Sequence, residues 1–187
     1  MSRSSPSRRS FLAALGTAPL SLALPRLGLG MGMGADSPRK LSFYHLHTDE
    51  QLEVTYFERG GYVNDALVQI NQLLRDFRTG EVAAIDPRLL DLLHATARVC
   101  ERDRFEIISG YRSPVTNATL AEKSGGVARN SLHMEGRAID VRMSGLDTWH
   151  LRNAGVALAL GGVGYYPESN FVHLDTGRFR TWGPGAA

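Results

Sequence analysis

The 187-residue sequence predicts an α+β fold, a small antiparallel sheet with flanking helices, behind a separate N-terminal segment. Hydrophobic residues make up 43% of the chain and charged residues 21%, which is the balance of a globular domain and not of a disordered chain. Short β-prone runs and helical patterns follow one another without a regular strand–helix–strand alternation. This irregular order favours an α+β fold over a doubly wound parallel sheet.

The N-terminal segment, residues 1–35, contains four arginines and no acidic residue. Arg8 and Arg9 precede an apolar run over 11–24, the pattern of a secretory signal, and the adjacent arginine pair resembles a twin-arginine signal. This run of about 14 residues is shorter than the ~20 that a transmembrane helix needs. We therefore predict a twin-arginine signal over 1–35, recognised by the twin-arginine export machinery, and a periplasmic domain over 36–187. A membrane-tethered form with an uncleaved signal remains an alternative.

Charge and cysteine content exclude two classes of site in the remaining chain. Beyond residue 35 there are 17 basic and 19 acidic residues, so the net charge is −2 and gives no electrostatic reason to expect nucleic-acid binding. The single cysteine, Cys100, excludes an internal disulfide and a metal site built from several thiolates.

The first half of the domain begins with a predicted hairpin. Two β-prone runs, over 40–46 and 52–57, flank the polar turn His-Thr-Asp-Glu. Apolar residues at helical spacing then predict a helix over 62–77. A second helix is expected to begin at Asp86-Pro87, with Asp86 as the N-cap and Pro87 at the first helical position.

The second half contains shorter elements. We expect a buried strand over 105–108, a short helix over 115–123 and an alternating strand over 138–143. Asp147 can cap a helix that runs to residue 160. Three short closing strands are predicted over 163–166, 171–175 and 179–182.

Three residues are candidate metal ligands: His133, Asp140 and His173. A hydrolytic zinc site needs three protein ligands and one open position. Gly136 allows a tight bend that brings His133 back toward Asp140, and Asp140 and His173 point to one place if their strands are neighbours. A carboxylate in the apolar run Ala-Ile-Asp-Val needs a partner, and a cation is a natural one. Histidines that are merely packed and hydrogen-bonded remain the alternative.

The motif Ser-x-His-x-x-Gly-x-Ala-x-Asp, residues 131–140, resembles the signature of the M15 zinc peptidases. The runs Ser-Gly-Tyr-Arg-Ser over 109–113, Gly-Gly-Val-Gly-Tyr-Tyr-Pro over 161–167 and Ser-Asn-Phe-Val-His over 169–173 resemble the YcbK-like branch of that superfamily. The resemblance implies a hedgehog/DD-peptidase-like fold, and we expect a monomer. It also implies one Zn²⁺ on the three candidate ligands, and hydrolysis of peptide cross-links in peptidoglycan stem peptides. Those links are the 3-3 diaminopimelate link and also the 4-3 link.

The resemblance identifies the catalytic residues less completely than it identifies the metal ligands. Arg112 matches the family's arginine near the metal, where a guanidinium can hold a substrate carbonyl oxygen or a neighbouring carboxylate. The family's proton acceptor falls on Asn170 or Phe171, which cannot take a proton. Asp175, on the strand face of His173, and Glu168 are the remaining candidates for the catalytic base. Asp175 has a second interpretation, as the carboxylate that orients a zinc-bound histidine.

Two alternative functions remain open at this point. One is a D,D- or L,D-carboxypeptidase that trims terminal residues with the same chemistry. The other is a non-catalytic peptidoglycan-binding module, which the departure at residues 170–171 would favour.

Overall fold

The computed structural model describes residues 37–123 and 128–185, so the predicted signal over 1–35 lies outside the described residues. The strands are β1 (Arg39–His45), β2 (Gln51–Glu58), β3 (Gly61–Tyr62), β4 (Arg104–Ser109), β5 (Ala138–Met143), β6 (Gly162–Tyr166), β7 (Phe171–Asp175) and β8 (Arg180–Trp182). The helices are α1 (Asn64–Leu73), α2 (Pro87–Cys100), α3 (Pro114–Lys123) and α4 (Thr148–Leu158), with a 3₁₀ helix at Leu132–Glu135.

The strands form one sheet in the order β3-β2-β1-β4-β5-β7-β6-β8, and the predicted α+β class is confirmed. The sheet is larger than expected and it is mixed, because β1 pairs with β4 and β6 pairs with β8 in parallel. Each parallel pair joins strands that are separated along the chain by other elements. The alternation of hydrophobic residues along a short segment identifies a strand, but it does not identify the strand, remote in sequence, that pairs with it. These two pairings could therefore not be predicted.

Local signals located most of the elements correctly. The hairpin of β1 and β2 is present, and Asp86 and Asp147 cap α2 and α4 by accepting hydrogen bonds from the backbone two residues ahead. The first helix is shorter than predicted and ends at Leu73. Beyond it, the Leu74 carbonyl accepts the Tyr111 N–H at 2.8 Å, a tertiary bond that replaces continuation of the helix.

The helices α2 and α4 cover one face of the sheet. They pack side by side, α2 against β1 and α4 against β5, β6 and β7. The buried side chains between them include Phe43, Leu93, Ile139 and Leu174, and burial of each contributes roughly 1.5–3 kcal/mol. Among the described residues, no helix has both the length and the apolar character required to cross a membrane.

One row of residues that are paired from strand to strand crosses the sheet and carries the candidate site. Ser109 pairs with Asp140, Asp140 with His173, His173 with Gly164, and Gly164 with Trp182. Strands lie about 4.8 Å apart, so the row brings together side chains that are far apart in the sequence.

Candidate metal centre

The three predicted ligand side chains meet on this row. His133 Nε2 lies 3.2 Å from His173 Nδ1 and 3.2 Å from Asp140 Oδ1, and His173 Nδ1 lies 2.9 Å from the same oxygen. Tetrahedral ligands at the usual Zn–N distance are about 3.3 Å apart. His133 and Asp140 are buried and His173 is half-buried. The predicted juxtaposition of these residues is therefore present.

The imidazoles of His133 and His173 each form a hydrogen bond on the side away from the centre, and this bond determines which ring nitrogen faces the centre. His133 Nδ1 lies 2.7 Å from the Gly110 carbonyl oxygen, and His173 Nε2 lies 3.0 Å from Asp175 Oδ2. Both oxygens can only accept, so these ring nitrogens carry the protons and the facing nitrogens offer lone pairs. When both imidazoles are neutral, two lone pairs and a carboxylate oxygen therefore converge on one position. Such a donor set fits a cation.

The short 3₁₀ helix places His133. Ser131 caps it by accepting from the His133 N–H, and Gly136 ends it in the left-handed region at φ 65°. A Cβ at Gly136 would overlap the Ala84 carbonyl, so the bend needs glycine both for its backbone angle and for the close approach. The prediction of a bend at Gly136 is correct, although the segment before it is helical and not a loop.

Arg112 is held beside the ligands by the chain segment between β4 and α3. Its Nη2 donates to Asp140 Oδ2, the carboxylate oxygen that does not face the histidines, and its Nε donates to Ser109 Oγ at 2.9 Å. Its backbone N–H donates to the His133 carbonyl at 3.2 Å. The guanidinium therefore holds the neighbouring carboxylate, one of the two roles considered for it.

A cavity of about 570 Å³ opens on the three ligands and Arg112. Its far wall is aromatic: Trp182 Nε1 donates to the Tyr166 hydroxyl at 2.8 Å, and Tyr166 stacks on Phe171 with ring centroids 4.6 Å apart. A Cβ at Gly164 would overlap the Trp182 ring, so that glycine lets the indole lie flat over β6. The pairing of Trp182 with β6 was not predictable, because it depends on a parallel register.

Asp175 lies behind His173 and is fully buried. Besides His173, its carboxylate accepts hydrogen bonds from both terminal nitrogens of Arg180, at 2.7 and 3.0 Å, and from the Gly162 and Gly177 N–H groups. Burial alone would raise the pKa of Asp175, but the donors His173, Arg180 and Gly177 outweigh it and hold the pKa well below its usual range. The carboxylate is thus occupied by donors on both oxygens.

Glu168, the other acidic candidate, is exposed and lies in the turn 167–170. Ser169 of this turn lines the cavity, whereas Glu168 is not among its lining residues. Glu135, which follows the His133 segment, is also exposed and is paired with Arg137 at 2.8 Å.

Asp76 holds the segment that carries Arg112, and no sequence pattern predicted this role. Its Oδ2 accepts the Ser113 N–H at 2.9 Å and the Ser113 hydroxyl at 2.7 Å, and its Oδ1 accepts the Arg78 N–H at 3.0 Å. The side chain is buried, and the partner Ser113 is 37 residues away. A lone aspartate before a turn is an ordinary pattern, so only the fold reveals this link.

We expect Asp76→Asn to reduce stability most above pH 4. Burial would raise the pKa of Asp76, but hydrogen bonds from Thr116, Ser113 and Arg78 lower it from 3.8 to about 2. A depressed pKa stabilises the fold above the unfolded value, and this stabilisation disappears as the pH falls from about 4 to 2. Urea unfolding should therefore show wild type losing about 2 kcal/mol more than the variant over that interval. Equal losses in both proteins would contradict this account of Asp76.

Comparison with known proteins agrees with the geometry. A family model described as "Peptidoglycan L,D-endopeptidase MepK" matches residues 33–182. The protein of that name from Escherichia coli is 38% identical over 183 residues, which is 97% of this chain and 100% of the relative. A "Probable peptidoglycan L,D-endopeptidase MepK" from Haemophilus influenzae is 38% identical over 177 residues, 94% of this chain and 95% of that protein. The predicted resemblance and the prediction of a peptidase are confirmed, and the chain belongs to the MepK family of M15 peptidases.

Proposed function

We propose that this protein is a zinc-dependent endopeptidase that hydrolyses peptide cross-links in peptidoglycan, the 3-3 diaminopimelate link and also the 4-3 link. One observation carries the proposal: two histidine lone pairs and the Asp140 carboxylate converge at about 3 Å beside a cavity of peptide size. The relatives are named as peptidoglycan L,D-endopeptidases and are similar over nearly their whole length, which supports the substrate class.

Each side chain of the candidate centre has a distinct role in this proposal. His133, Asp140 and His173 would hold the metal, which when bound in such an open site polarises a carbonyl group and lowers the pKa of a coordinated water toward ~7. Arg112 fixes Asp140 through Nη2, while its Nη1 donates no hydrogen bond to any residue in 37–123 or 128–185. That nitrogen is available to a substrate carbonyl oxygen. Asp175 keeps the His173 proton on Nε2 and so directs the Nδ1 lone pair to the centre.

Glu168 is the remaining candidate for the proton acceptor, since both oxygens of Asp175 are occupied. We expect Glu168→Gln to lower kcat by about 10²-fold or more, the usual contribution of a general base, and to leave the metal content unchanged. Steady-state hydrolysis of a cross-linked dimer and metal analysis measure both quantities. The exposed Glu135→Gln is the matched control, and equal activity in the two variants would remove Glu168 from the mechanism.

Digestion of purified cross-linked muropeptide dimers, followed by mass spectrometry, tests the proposed function. Conversion of dimers to monomers that stops with a chelator supports a metal-dependent endopeptidase, and the dimer consumed identifies the bond. Loss of terminal residues from intact dimers would favour the carboxypeptidase alternative. Unchanged dimers with stoichiometric zinc would favour the non-catalytic binding module.

We also propose that the protein is exported to the periplasm by the twin-arginine route and acts there as a monomer. The motif at Arg8 and Arg9 supports the route. Replacing both arginines with lysine should leave the protein in the cytoplasmic fraction, whereas replacing Arg3 and Arg26 should not. Periplasmic recovery of the double lysine variant would contradict the proposed route.

A further inference from the structure

The row that crosses the sheet continues past Arg112 toward β1, on the side opposite the aromatic wall. β4 pairs with β1, and the chain leaves β1 at Leu46 and His47. From β8 to β1 the row spans six neighbouring strands, a distance of about 24 Å, which is the length of about seven extended residues. The metal ligands on β5 and β7 lie near its middle. An endopeptidase holds substrate on both sides of the bond it cuts, so both halves of the row are candidates for contact.

The half near β1 ends in a stack of three flat groups. The His47 ring lies parallel to the Phe77 ring with centroids 4.2 Å apart, and the Arg78 guanidinium lies 4.2 Å over the same ring. Both flat groups therefore pack on the Phe77 ring. Buried His45 contacts Phe77 edge-on at 5.5 Å and supports it from below. His47 and Arg78 are exposed, so the stack is a fixed surface open to solvent.

Asp76 ties this stack to the candidate centre. One carboxylate oxygen accepts the Arg78 N–H and the other accepts the Ser113 N–H, immediately after Arg112. Packing against neighbouring side chains partly desolvates the Arg78 guanidinium and lowers the pKa of Arg78 most; the Asp76 charge raises this pKa, and the Arg112 charge lowers it by less. Arg112 is thus the second cation near Arg78.

Among the residues that the structure describes, no carboxylate forms an ion pair with the Arg78 guanidinium. Within 37–123 and 128–185 it donates no hydrogen bond and forms no ion pair, whereas Arg75, one turn earlier, is paired with Glu50 at 2.9 Å. Asp76, the nearest acidic group, already accepts from Ser113, Thr116 and the Arg78 backbone. A packed, unpaired cation beside a second cation is stabilised when an anion binds between or beside them.

We propose that the His47–Phe77–Arg78 stack is a substrate subsite in which Arg78 binds a free carboxylate of the cross-linked peptide, on the side of the scissile bond that lies beyond Arg112. This inference rests on the proposed function and names the chemistry recognised at the β1 end of the row. Phe77 and His47 hold the guanidinium in place and offer a flat apolar surface to the peptide chain.

Kinetics of Arg78→Gln on two substrates test the subsite. One substrate is a 3-3 dimer with free diaminopimelate carboxylates, and the other is the same dimer with those carboxylates amidated. We expect KM for the free-acid dimer to rise about 10-fold, the value of one charge-assisted hydrogen bond, with kcat and zinc content unchanged. KM for the amidated dimer should change less than about twofold. A KM that is unchanged for both dimers, or that rises equally for both, would overturn the proposal.

Arg75→Gln is the matched control, because it removes one positive charge from the same turn but not from the stack. An equal rise in KM for Arg75→Gln would show a general effect of net charge and would also overturn the subsite. Calorimetric titration of zinc-loaded wild type and Arg78→Gln with the uncross-linked free-acid peptide separates this proposal from the proposed function. If wild type cuts no dimer, the endopeptidase proposal fails. The subsite is still supported if the Kd of the peptide is larger for Arg78→Gln than for wild type.

Discussion

His133→Ala is expected to abolish metal binding and with it hydrolysis. His133 supplies one of three converging donor atoms, and the two that remain make an incomplete site. Lewis-acid assistance is worth several kcal/mol, and each 1.4 kcal/mol is a factor of ten in rate. The rate of dimer hydrolysis should therefore fall by about 10³-fold or more, and bound zinc should fall from one equivalent to near none.

A folding defect must be separated from the loss of the ligand. His133 is buried, and its removal leaves the Gly110 carbonyl without a donor, which costs about 1–3 kcal/mol. His94→Ala is the matched control, since His94 is a half-buried histidine on α2, outside the centre. Circular dichroism and thermal unfolding should show both variants folded at the assay temperature. Full zinc content and full activity in folded His133→Ala would refute the assigned ligand.

Asp175→Asn is expected to weaken metal binding, because it changes which nitrogen of His173 is protonated. Asparagine has nearly the shape of aspartate and can still accept from Gly162 and Gly177 with its oxygen. Its NH₂ group would then face His173 Nε2 and Arg180, where donors now point at the carboxylate. The imidazole relieves the conflict by moving its proton to Nδ1, which removes the lone pair that faces the metal position.

Loss of this orienting carboxylate should lower zinc affinity by about 10–100-fold and lower kcat/KM to a similar extent. Competition with a chromogenic chelator measures the affinity, and ¹⁵N chemical shifts of His173 report the tautomer. Asp91→Asn serves as a control, because Asp91 also accepts from an arginine and from tyrosine hydroxyls, near β2 and β3. An Asp175→Asn protein with unchanged zinc affinity and a greatly reduced kcat would instead indicate that Asp175 transfers a proton.

The sequence predicted that the three candidate ligands lie together because the features that place them are local, whereas the family resemblance supplied their role as ligands. Strand alternation put Asp140 and His173 on defined faces, and Gly136 marked the bend that returns His133. The caps Asp86 and Asp147 were identifiable for the same reason, since each satisfies N–H groups two residues ahead.

The surroundings of the ligands depend on contacts between distant segments and could not be predicted in this way. Arg180 reaches Asp175 only because β8 lies in parallel beside β6. The link from Asp76 to Ser113, and through it to the position of Arg112, joins segments that no periodicity relates. Asp175 illustrates the limit: its strand face and its contact with a histidine were among the predictions, but the donors from Gly162, Gly177 and Arg180 were not.

Titration of the metal-free protein with Zn²⁺, while hydrolysis of a 3-3 dimer is followed, measures whether hydrolysis requires a metal at this centre. We expect no hydrolysis without metal, a linear rise in rate with added zinc and a plateau at one equivalent. The same titration of His133→Ala should give no rise. Hydrolysis by the metal-free protein at the full rate, or a rate that zinc does not change, would contradict a metal-dependent peptidase built on His133, Asp140 and His173.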